Sequence, residues 1–415
     1  MRRSLGETMT DSLPTTPRSS STIGLGSTGE DLEAPGRRTG ERRRLGGLRA
    51  VDQKVEPGLA LLVGRHAVGA LENDLLDAVV RRDLDLTGRQ RVEAALAMGV
   101  ADRPPIGAWG HTYREEWSAS DLAAVTVERA RRFGWDFVKF QPRASTFAEA
   151  FGSVYHPSGH RMRAPIMIQP AVPNLGSWTS VSLSRPEVFD EQVESLGMVV
   201  RELGPDVPVI QTVFSPITVG GYLVGKSQSR VVRELRKHPE VVGPALEKIA
   251  GGLVDFSRRS IAAGAAGIFY AVSGYAGRGV MKEEVYRDLV LPLDQAVLGA
   301  LPSNGWFNVL HLCGSNLNFA LARDLPAQAV SWSIHNQGNP SLSEGRSIAD
   351  RAVMGGLSQR STLVYGPAAK IEGEVRAAIA DTGGRGLLIA PGCSVPPRVR
   401  DANLAAMMSG VGVAA

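Results

Sequence analysis

The feature that most constrains the fold of this chain is a regular alternation of short apolar runs with longer amphipathic stretches, beginning near Thr87. The apolar runs predict strands, and the stretches between them have helical spacing. Eight strands that alternate with helices predict an α/β fold, a (β/α)8 TIM barrel, over residues 87–415. The predicted strands are 106–110, 136–140, 207–214, 267–272, 307–313, 328–333, 351–357 and 386–391.

The predicted helices lie between these strands, and Thr87 is a candidate N-cap for a first helix that runs to Met98. An open doubly wound sheet is the structural alternative. It lacks support because no G-x-G-x-x-G motif follows the first predicted strand. The other main helical patterns are 119–133, 186–203, 240–263, 281–299, 344–350 and 368–381.

The first fifty residues differ from the rest in composition. They are rich in Ser, Thr, Gly, Pro and Arg, with nine arginines and six acidic residues, and they contain no apolar segment typical of a secretory signal. This composition predicts a disordered tail over 1–50. Residues 51–86 contain some apolar runs and are predicted to form a helical lead-in.

The charge and cysteine content exclude several classes of function. The tail carries most of the net charge of +4, so the rest of the chain is close to neutral and lacks the basic surface that nucleic-acid binding needs. No apolar run approaches the length of a membrane span. Two cysteines give no disulfide framework, and free thiols fit a reducing cytoplasm, which is the predicted location. The oligomeric state, a homodimer included, stays open.

A histidine and the two cysteines form the most informative pattern for function. His311 and Cys313 occur as H-L-C-G at the end of the fifth predicted strand, and Cys393 occurs as A-P-G-C-S just after the eighth. On the barrel interpretation all three lie at the C-terminal face, where barrel enzymes place their chemistry. Zinc prefers such sulfur and nitrogen donors, and three protein ligands would leave a position for water or substrate. The alternative is that all three are ordinary buried residues.

Further polar residues follow the first two predicted strands. His111 and Arg114 follow the first strand and face the same barrel mouth, where substrate contact and a structural role are both open. Arg143 follows the second strand. It is a candidate for substrate binding, and a salt bridge with Glu149 is the alternative.

Longer stretches resemble the uroporphyrinogen decarboxylase superfamily. The similarity runs from about Arg89 to the C-terminus, and it implies a (β/α)8 barrel. The segments that carry it are R-V-E-A-A-L-A-M-G-V-A-D-R-P-P-I (91–106), F-S-P-I-T-V-G-G-Y-L-V-G (214–225), H-L-C-G-S-N (311–316), G-G-L-S-Q-R-S-T-L-V-Y-G-P (355–367), L-L-I-A-P-G-C-S-V-P-P (387–397) and D-A-N-L-A-A-M-M (401–408).

One branch of that superfamily shares the H-x-C…Cys pattern: the zinc- and corrinoid-dependent methyltransferases of the methylcobamide:coenzyme M type. This resemblance implies that His311, Cys313 and Cys393 bind Zn²⁺. It also implies a corrinoid (methylcobamide), free or on a corrinoid protein, as methyl carrier, and a small-molecule thiol as acceptor. That branch has an acidic ligand after strand six. Here S-W-S-I-H-N-Q (331–337) has no acid, so His335 or Asn336 would have to substitute.

The alternative function is that of the decarboxylases of porphyrin and haem biosynthesis, acting on a porphyrinogen or another carboxylated compound. Tyr222 and Ser273 fall where those enzymes have an active-site tyrosine and serine, and Arg114 and Arg143 would help to orient the substrate. The chain departs from them in W-G-H-T-Y-R (109–114), which has one arginine instead of two, and in P-G-C-S, which replaces L-G-H-G. A third hypothesis is a non-catalytic barrel that binds a corrinoid or tetrapyrrole.

Overall fold

Seven parallel strands form one curled sheet in the order β1-β4-β5-β6-β7-β8-β9. Each overlaps one of the predicted strands, so seven of the eight predicted strands are confirmed. A separate antiparallel hairpin, β2 with β3, has no counterpart among the predicted strands. The strands are β1 Val138–Phe140, β2 Val154–His156, β3 Ile166–Gln169, β4 Val209–Phe214, β5 Gly267–Ser273, β6 Val309–Cys313, β7 Ala329–Ser331, β8 Ala352–Leu357 and β9 Leu387–Pro391.

These elements come from a computed structural model that describes residues 86–412. The predicted tail, 1–50, and the predicted lead-in, 51–86 except for Leu86, lie outside the described residues. Among the helices within that range, none is long and apolar enough to cross a membrane.

The first predicted strand, 106–110, is a bridging segment rather than a ladder strand. Ile106 pairs in parallel with Ile389 of β9 through an isolated bridge, and its carbonyl oxygen accepts a hydrogen bond of 2.9 Å from the Asp136 amide before β1. Pro104 and Pro105 have no amide hydrogen to donate, which limits regular pairing here. The fold is therefore TIM-barrel-like, with a ladder that is not continuous around the barrel.

Helices follow most strands and cover the outside of the sheet. The predicted cap at Thr87 is confirmed by a capping box with Gln90, but the helix ends at Leu96 rather than at Met98. The predicted helix 281–299 is two helices, and Pro292 lies in the first turn of the second. The helices are α1 Gly88–Leu96, α2 Ala119–Phe133, α3 Thr146–Ala150, α4 Glu187–Leu203, α5 Pro216–Leu223, α6 Gln228–Lys237, α7 Pro239–Ala262, α8 Glu283–Leu289, α9 Leu291–Gly299, α10 Leu342–Ala349, α11 Thr362–Tyr365, α12 Ala368–Thr382 and α13 Asp401–Gly410; 3-10 turns lie at Glu115–Trp117, Leu175–Ser180 and Phe319–Arg323.

The side chains of each strand alternate between two apolar clusters. In β5 and β6, Ile268 and Leu310 belong to the large cluster that includes the helices, whereas Phe269 and Val309 belong to a smaller one enclosed by the sheet. His311 lies two residues after Val309, so its side chain points to the same face of the strand as the side chains of the enclosed cluster. The register of the strands therefore directs this histidine into the barrel, at its carboxyl end.

A buried carboxylate ties the bridging segment to the sheet. Asp136 is 4% exposed, and its side chain accepts hydrogen bonds from the Ile106 amide at 2.8 Å and from Arg91 at 2.9 Å. Arg103 forms a second ion pair with the same carboxylate. This one side chain thus pairs with two guanidinium groups, of which Arg91 also pairs with Asp102, and it fixes the start of the first barrel segment.

We expect Asp136→Ala to destabilise the protein by about 3–5 kcal/mol, because it leaves the partly buried Arg103 without its carboxylate and the Arg91 guanidinium with Asp102 alone. The measurement is the free energy of unfolding in urea. Glu202→Ala is the matched control, since its ion pair with Arg131 is exposed and should contribute about 1 kcal/mol or less. Equal losses in the two variants would show that Asp136 does not anchor the segment.

Candidate metal centre

One strand end and one loop bring the predicted ligands together. His311 and Cys313 lie at the end of β6, and Cys393 lies two residues beyond β9. One ligand atom from each of the three lies within 4.8 Å of the others, and no other His, Cys, Asp or Glu of residues 86–412 joins this group. The three residues that the sequence singled out therefore form one cluster at the carboxyl end of the barrel.

The spacing of the sulfur atoms suits a tetrahedral ion. Cys313 Sγ and Cys393 Sγ are 3.9 Å apart, too far for a disulfide. Two sulfurs bound to one zinc at about 2.3 Å in tetrahedral geometry would be roughly 3.8 Å apart. His311 is 3% exposed, and its Nε2 is buried without a hydrogen-bond partner among the described residues. An unpartnered ring nitrogen beside two free thiols fits a metal ligand set.

The orientation of the histidine is fixed from two sides. Nδ1 of His311 lies 3.2 Å from Ser331 Oγ on β7, and the ring stacks on Phe269 of β5 with centroids 5.0 Å apart. If Nδ1 carries the hydrogen and donates it to Ser331, Nε2 presents its lone pair to the cluster. Ser331 is thus a positioning residue that the sequence analysis missed.

The two cysteines differ in acidity because they share one proton. The pKa of Cys393 is held well below its usual range by a hydrogen bond with the Cys313 thiol, and the neighbouring His311 ring adds to this effect. The same hydrogen bond raises the pKa of Cys313, as does burial. Because zinc binds thiolates, metal binding must displace the protons that the two thiols carry.

A buried lysine lies beside the cluster. Lys139 on β1 is 5% exposed; its Nζ is 4.9 Å from the ring centroid of Phe269 and donates a hydrogen bond to Gln141. Ser394, next to Cys393, donates to the same amide oxygen at 3.3 Å. Burial lowers the pKa of Lys139 to about 7, and the charges of Cys393 and Glu116 oppose this effect. A single lysine inside the apolar run D-F-V-K-F is a sequence signal that could have identified it.

Tyr222 and Ser273, the two residues inferred from the decarboxylase resemblance, line one cavity of about 220 Å³. Ser273 pairs in register with Cys313, so this cavity lies next to the sulfur cluster. Tyr275 also lines it, and the hydroxyl of Tyr275 is buried without a partner in the described part of the chain. Burial, together with nearby charges that include Cys313, raises the pKa of Tyr222 to about 12, so its hydroxyl stays protonated. Lys226 provides a cation.

His111 and Arg114 lie elsewhere on the same face. His111 Nδ1 is 2.8 Å from the buried Glu116 carboxylate, and its Nε2 is 3.4 Å from the Gln141 amide, which links it to Lys139. Arg114 is exposed at the start of the 3-10 turn Glu115–Trp117. The substrate contacts expected of these two residues stay predictions.

Arg143 has a structural role. It is 3% exposed and donates hydrogen bonds to Glu149 at 3.0 Å and to Glu191 at 3.0 Å. The salt bridge with Glu149 considered in the sequence analysis is therefore present. Because carboxylates already hold both sides of the guanidinium, the structure favours the salt bridge over the predicted substrate contact for Arg143.

His335 lies outside the ligand cluster, contrary to its expected place as a fourth ligand. Its Nε2 is 3.0 Å from the carbonyl oxygen of Gly356 and 3.9 Å from the carboxylate of Glu374. Asn336, the other candidate, donates its side-chain amide to the Gly314 carbonyl at 2.9 Å. The loop after β7 turns both side chains to backbone oxygens, so the cluster keeps three protein donors.

The fold and the cluster define a class: a TIM-barrel-like protein with a candidate metal centre at the carboxyl end of its strands. A sequence model of one family, uroporphyrinogen decarboxylase (URO-D), matches residues 110–412. Because this match covers more than half of the chain, the protein belongs to the uroporphyrinogen decarboxylase family. The resemblance inferred from the motifs is confirmed.

The proteins similar in sequence include both a methyltransferase and a decarboxylase. A methylcobamide:CoM methyltransferase, MtaA, of Methanosarcina barkeri is 24% identical over 343 residues, which is 78% of this chain and 97% of the relative. A uroporphyrinogen decarboxylase of Psychromonas ingrahamii is 26% identical over 241 residues, 56% of this chain and 65% of the relative. The relatives thus place the chain among enzymes of this superfamily, with methyltransferases as well as decarboxylases among them.

A solved structure supports the fold independently. A methyltransferase from Methanosarcina mazei superimposes with a TM-score of 0.67 at 20% sequence identity, covering 79% of this chain and 99% of that protein. At this identity the likeness concerns the fold alone.

We expect Ser331→Ala to lower the affinity for zinc roughly 10- to 100-fold, because the imidazole loses the partner that orients it. Cys393→Ser should lower it further, since a direct ligand is lost. The measurement is competition with a zinc chelator under reducing conditions. Ser260→Ala is the control, because Ser260 is also buried but donates to the Phe256 carbonyl within α7. Unchanged affinity in Ser331→Ala would contradict the assigned role.

Proposed function

We propose that this protein is a zinc-dependent methyltransferase that moves a methyl group between a corrinoid and a small-molecule thiol. The observation that carries the proposal is the cluster of the His311 ring and the sulfurs of Cys313 and Cys393, which lies beside a cavity that Tyr222, Gln228 and Lys226 line. The methyltransferase relative that spans 78% of this chain supports it. In such a transfer a carbon–sulfur bond forms as the carbon–cobalt bond breaks, and the electrons of the broken bond stay on cobalt.

His311, Cys313 and Cys393 would hold the zinc ion. Three donors leave a coordination position free, which is typical of catalytic rather than structural zinc. When bound, zinc would lower the pKa of an approaching thiol and keep it nucleophilic near neutral pH. The third protein donor is neutral, so two thiolates balance the charge of the ion. An incoming thiolate would therefore add one negative charge to the site.

Lys139 is the residue that can compensate this charge. Its ammonium group is buried against Trp109 and Phe269, and no carboxylate of residues 86–412 lies within ion-pair distance of it. In a medium of low dielectric constant an unpaired cation is costly, and a nearby anion relieves that cost. We assign to Lys139 the stabilisation of the acceptor thiolate in the barrel.

The cavity next to Cys313 would bind the rest of the acceptor. Tyr222 and Tyr275 supply hydroxyl groups, Gln228 an amide and Lys226 an ammonium group. A volume of about 220 Å³ suits a small thiol with a polar or anionic end, and it is too small for a corrinoid or a porphyrinogen. The larger partner would have to approach from the open face of the barrel.

The decarboxylase alternative has support from relatives at 26% identity but less from the site. A substrate with many carboxylates needs several free cations to bind it. Arg143 is already paired with Glu149 and Glu191, and the cavity at Tyr222 contains one cation, Lys226; further arginines on this face line a separate cavity beside α2. A cluster of two thiols has no evident part in a reaction that needs no metal.

We expect the zinc-loaded protein to demethylate methylcobalamin in the presence of a small thiol such as 2-mercaptoethanol or 2-mercaptoethanesulfonate, followed by absorbance. Cys313→Ser should reduce the rate more than 100-fold, because it removes a zinc ligand. Arg114→Ala, an exposed change on the same face that leaves the zinc ligands intact, should reduce the rate much less than Cys313→Ser. Zinc removal should abolish the activity, and added zinc should restore it.

The same preparations, incubated with uroporphyrinogen, provide the opposing test. We expect negligible decarboxylation. Stepwise loss of carboxyl groups catalysed by metal-free protein, and unaffected by Cys313→Ser, would overturn the proposal in favour of the decarboxylase.

A further inference from the structure

A second cavity, of about 610 Å³, lies on the carboxyl side of the barrel between α2 and the loop that follows β9. Its walls come from the residues after the bridging segment, from one face of α2, from the β2–β3 hairpin loop and from residues 395–401. We call it the arginine cleft, because five arginines line it: Arg129, Arg132, Arg161, Arg398 and Arg400.

The acidic residues of the arginine cleft do not neutralise these cations. Arg132 forms ion pairs with both Asp401, at 2.7 Å, and Glu128, at 3.6 Å. The third acid of the lining, Glu115, forms no ion pair within residues 86–412. The other four arginines line the same cleft without a carboxylate partner in the described part of the protein; Arg400 donates to the Gly366 carbonyl, and Arg398 stacks on Tyr365.

Arg129 is the most informative of the four. It projects from α2 against Trp135, with 5.9 Å from the guanidinium carbon to the ring centroid. No hydrogen bond from its side chain to another described residue is present, and burial lowers its pKa despite the charges of Asp401 and Glu128. A half-buried guanidinium that lacks acceptors is unfavourable by itself, and an anionic ligand in the cleft would supply them.

The arginine cleft borders the metal centre. Gly110 in its wall forms a parallel bridge with Val395, two residues beyond Cys393. His111, also in the wall, lies 3.4 Å from the Gln141 amide, and Gln141 accepts a hydrogen bond from Ser394. The arginine cleft and the sulfur cluster therefore share the loop after β9, and the side chains of His111 and Gln141 lie between them.

We propose that the arginine cleft binds the phosphate ester group of a ligand whose reactive part reaches the metal centre. Arginine forks match phosphate oxygens bidentately, and a concave site of this size suits part of a small molecule. TIM barrels also commonly bind phosphate at the loops after their last strands. If the proposed methyl transfer is correct, the phosphodiester of a corrinoid's nucleotide tail is the group that fits, so this identification depends on the proposed function.

The experiment measures binding by calorimetry at low ionic strength, where charge screening is small. The probes are inorganic pyrophosphate, cobalamin, and cobinamide, which lacks the nucleotide and its phosphate. The variant is Arg129→Gln combined with Arg398→Gln. Arg131→Gln is the matched control, because Arg131 lies on the same helix but is exposed and bonds Glu202. Melting temperature and zinc content should match wild type in every variant, since none of these residues contacts the sulfur cluster.

We expect the double variant to bind pyrophosphate and cobalamin at least about tenfold more weakly, and cobinamide as the wild type does. Absent pyrophosphate binding, or equal binding by the wild type and the double variant, would overturn the phosphate site. Equal affinity of the wild type for cobalamin and cobinamide would overturn the corrinoid as its source. Both results are binding measurements that do not require methyl transfer. A failure of the phosphate site can therefore be distinguished from a failure of the proposed methyltransferase activity.

Discussion

The candidate metal centre depends on the parallel pairing of β6 with β5 on one side and β7 on the other. This register places His311 opposite Ala271 and Ser331, so that one ring nitrogen meets the serine hydroxyl and the other faces the sulfurs. A shift of one residue would turn His311 and Cys313 out of the barrel and into the helical layer. Cys393 reaches the same point only because β9 pairs with β8 and ends at the same edge.

The open end of the barrel also contains basic side chains that have no carboxylate partner in the described chain. Lys139 inside the barrel and Arg129 in the arginine cleft both lack a carboxylate partner in the described chain, whereas Asp136 and Arg143 are fully paired. The paired groups anchor the scaffold and need no ligand. The unpaired cations lie near the sulfur cluster and the adjacent cleft. Their placement is understandable if an acceptor thiolate and a phosphate ester bind there.

Sequence reasoning recovered the seven ladder strands and the three-residue cluster, because each rests on local patterns. Apolar runs between helical stretches specify strands, and H-x-C at a strand end fixes two side chains on one face. Those patterns do not specify what a loop side chain binds. His335 therefore appeared as a ligand although its ring bonds the Gly356 carbonyl, and Arg143 appeared as a substrate contact although distant Glu191 pairs with it. Ser331 belongs to the site through pairing between strands, which a single sequence does not reveal, whereas Lys139 has a sequence signal, a lysine inside the apolar run D-F-V-K-F.

The central claim is that His311, Cys313 and Cys393 form one zinc site with a position open to a thiol. X-ray absorption at the zinc edge tests it directly, because sulfur ligands at about 2.3 Å are resolved from nitrogen and oxygen ligands at about 2.0–2.2 Å. We expect two sulfurs and one histidine nitrogen in the resting protein, and three sulfurs after a small thiol is added. A first shell of nitrogen and oxygen alone, or a sulfur count unchanged by the thiol, would contradict the claim.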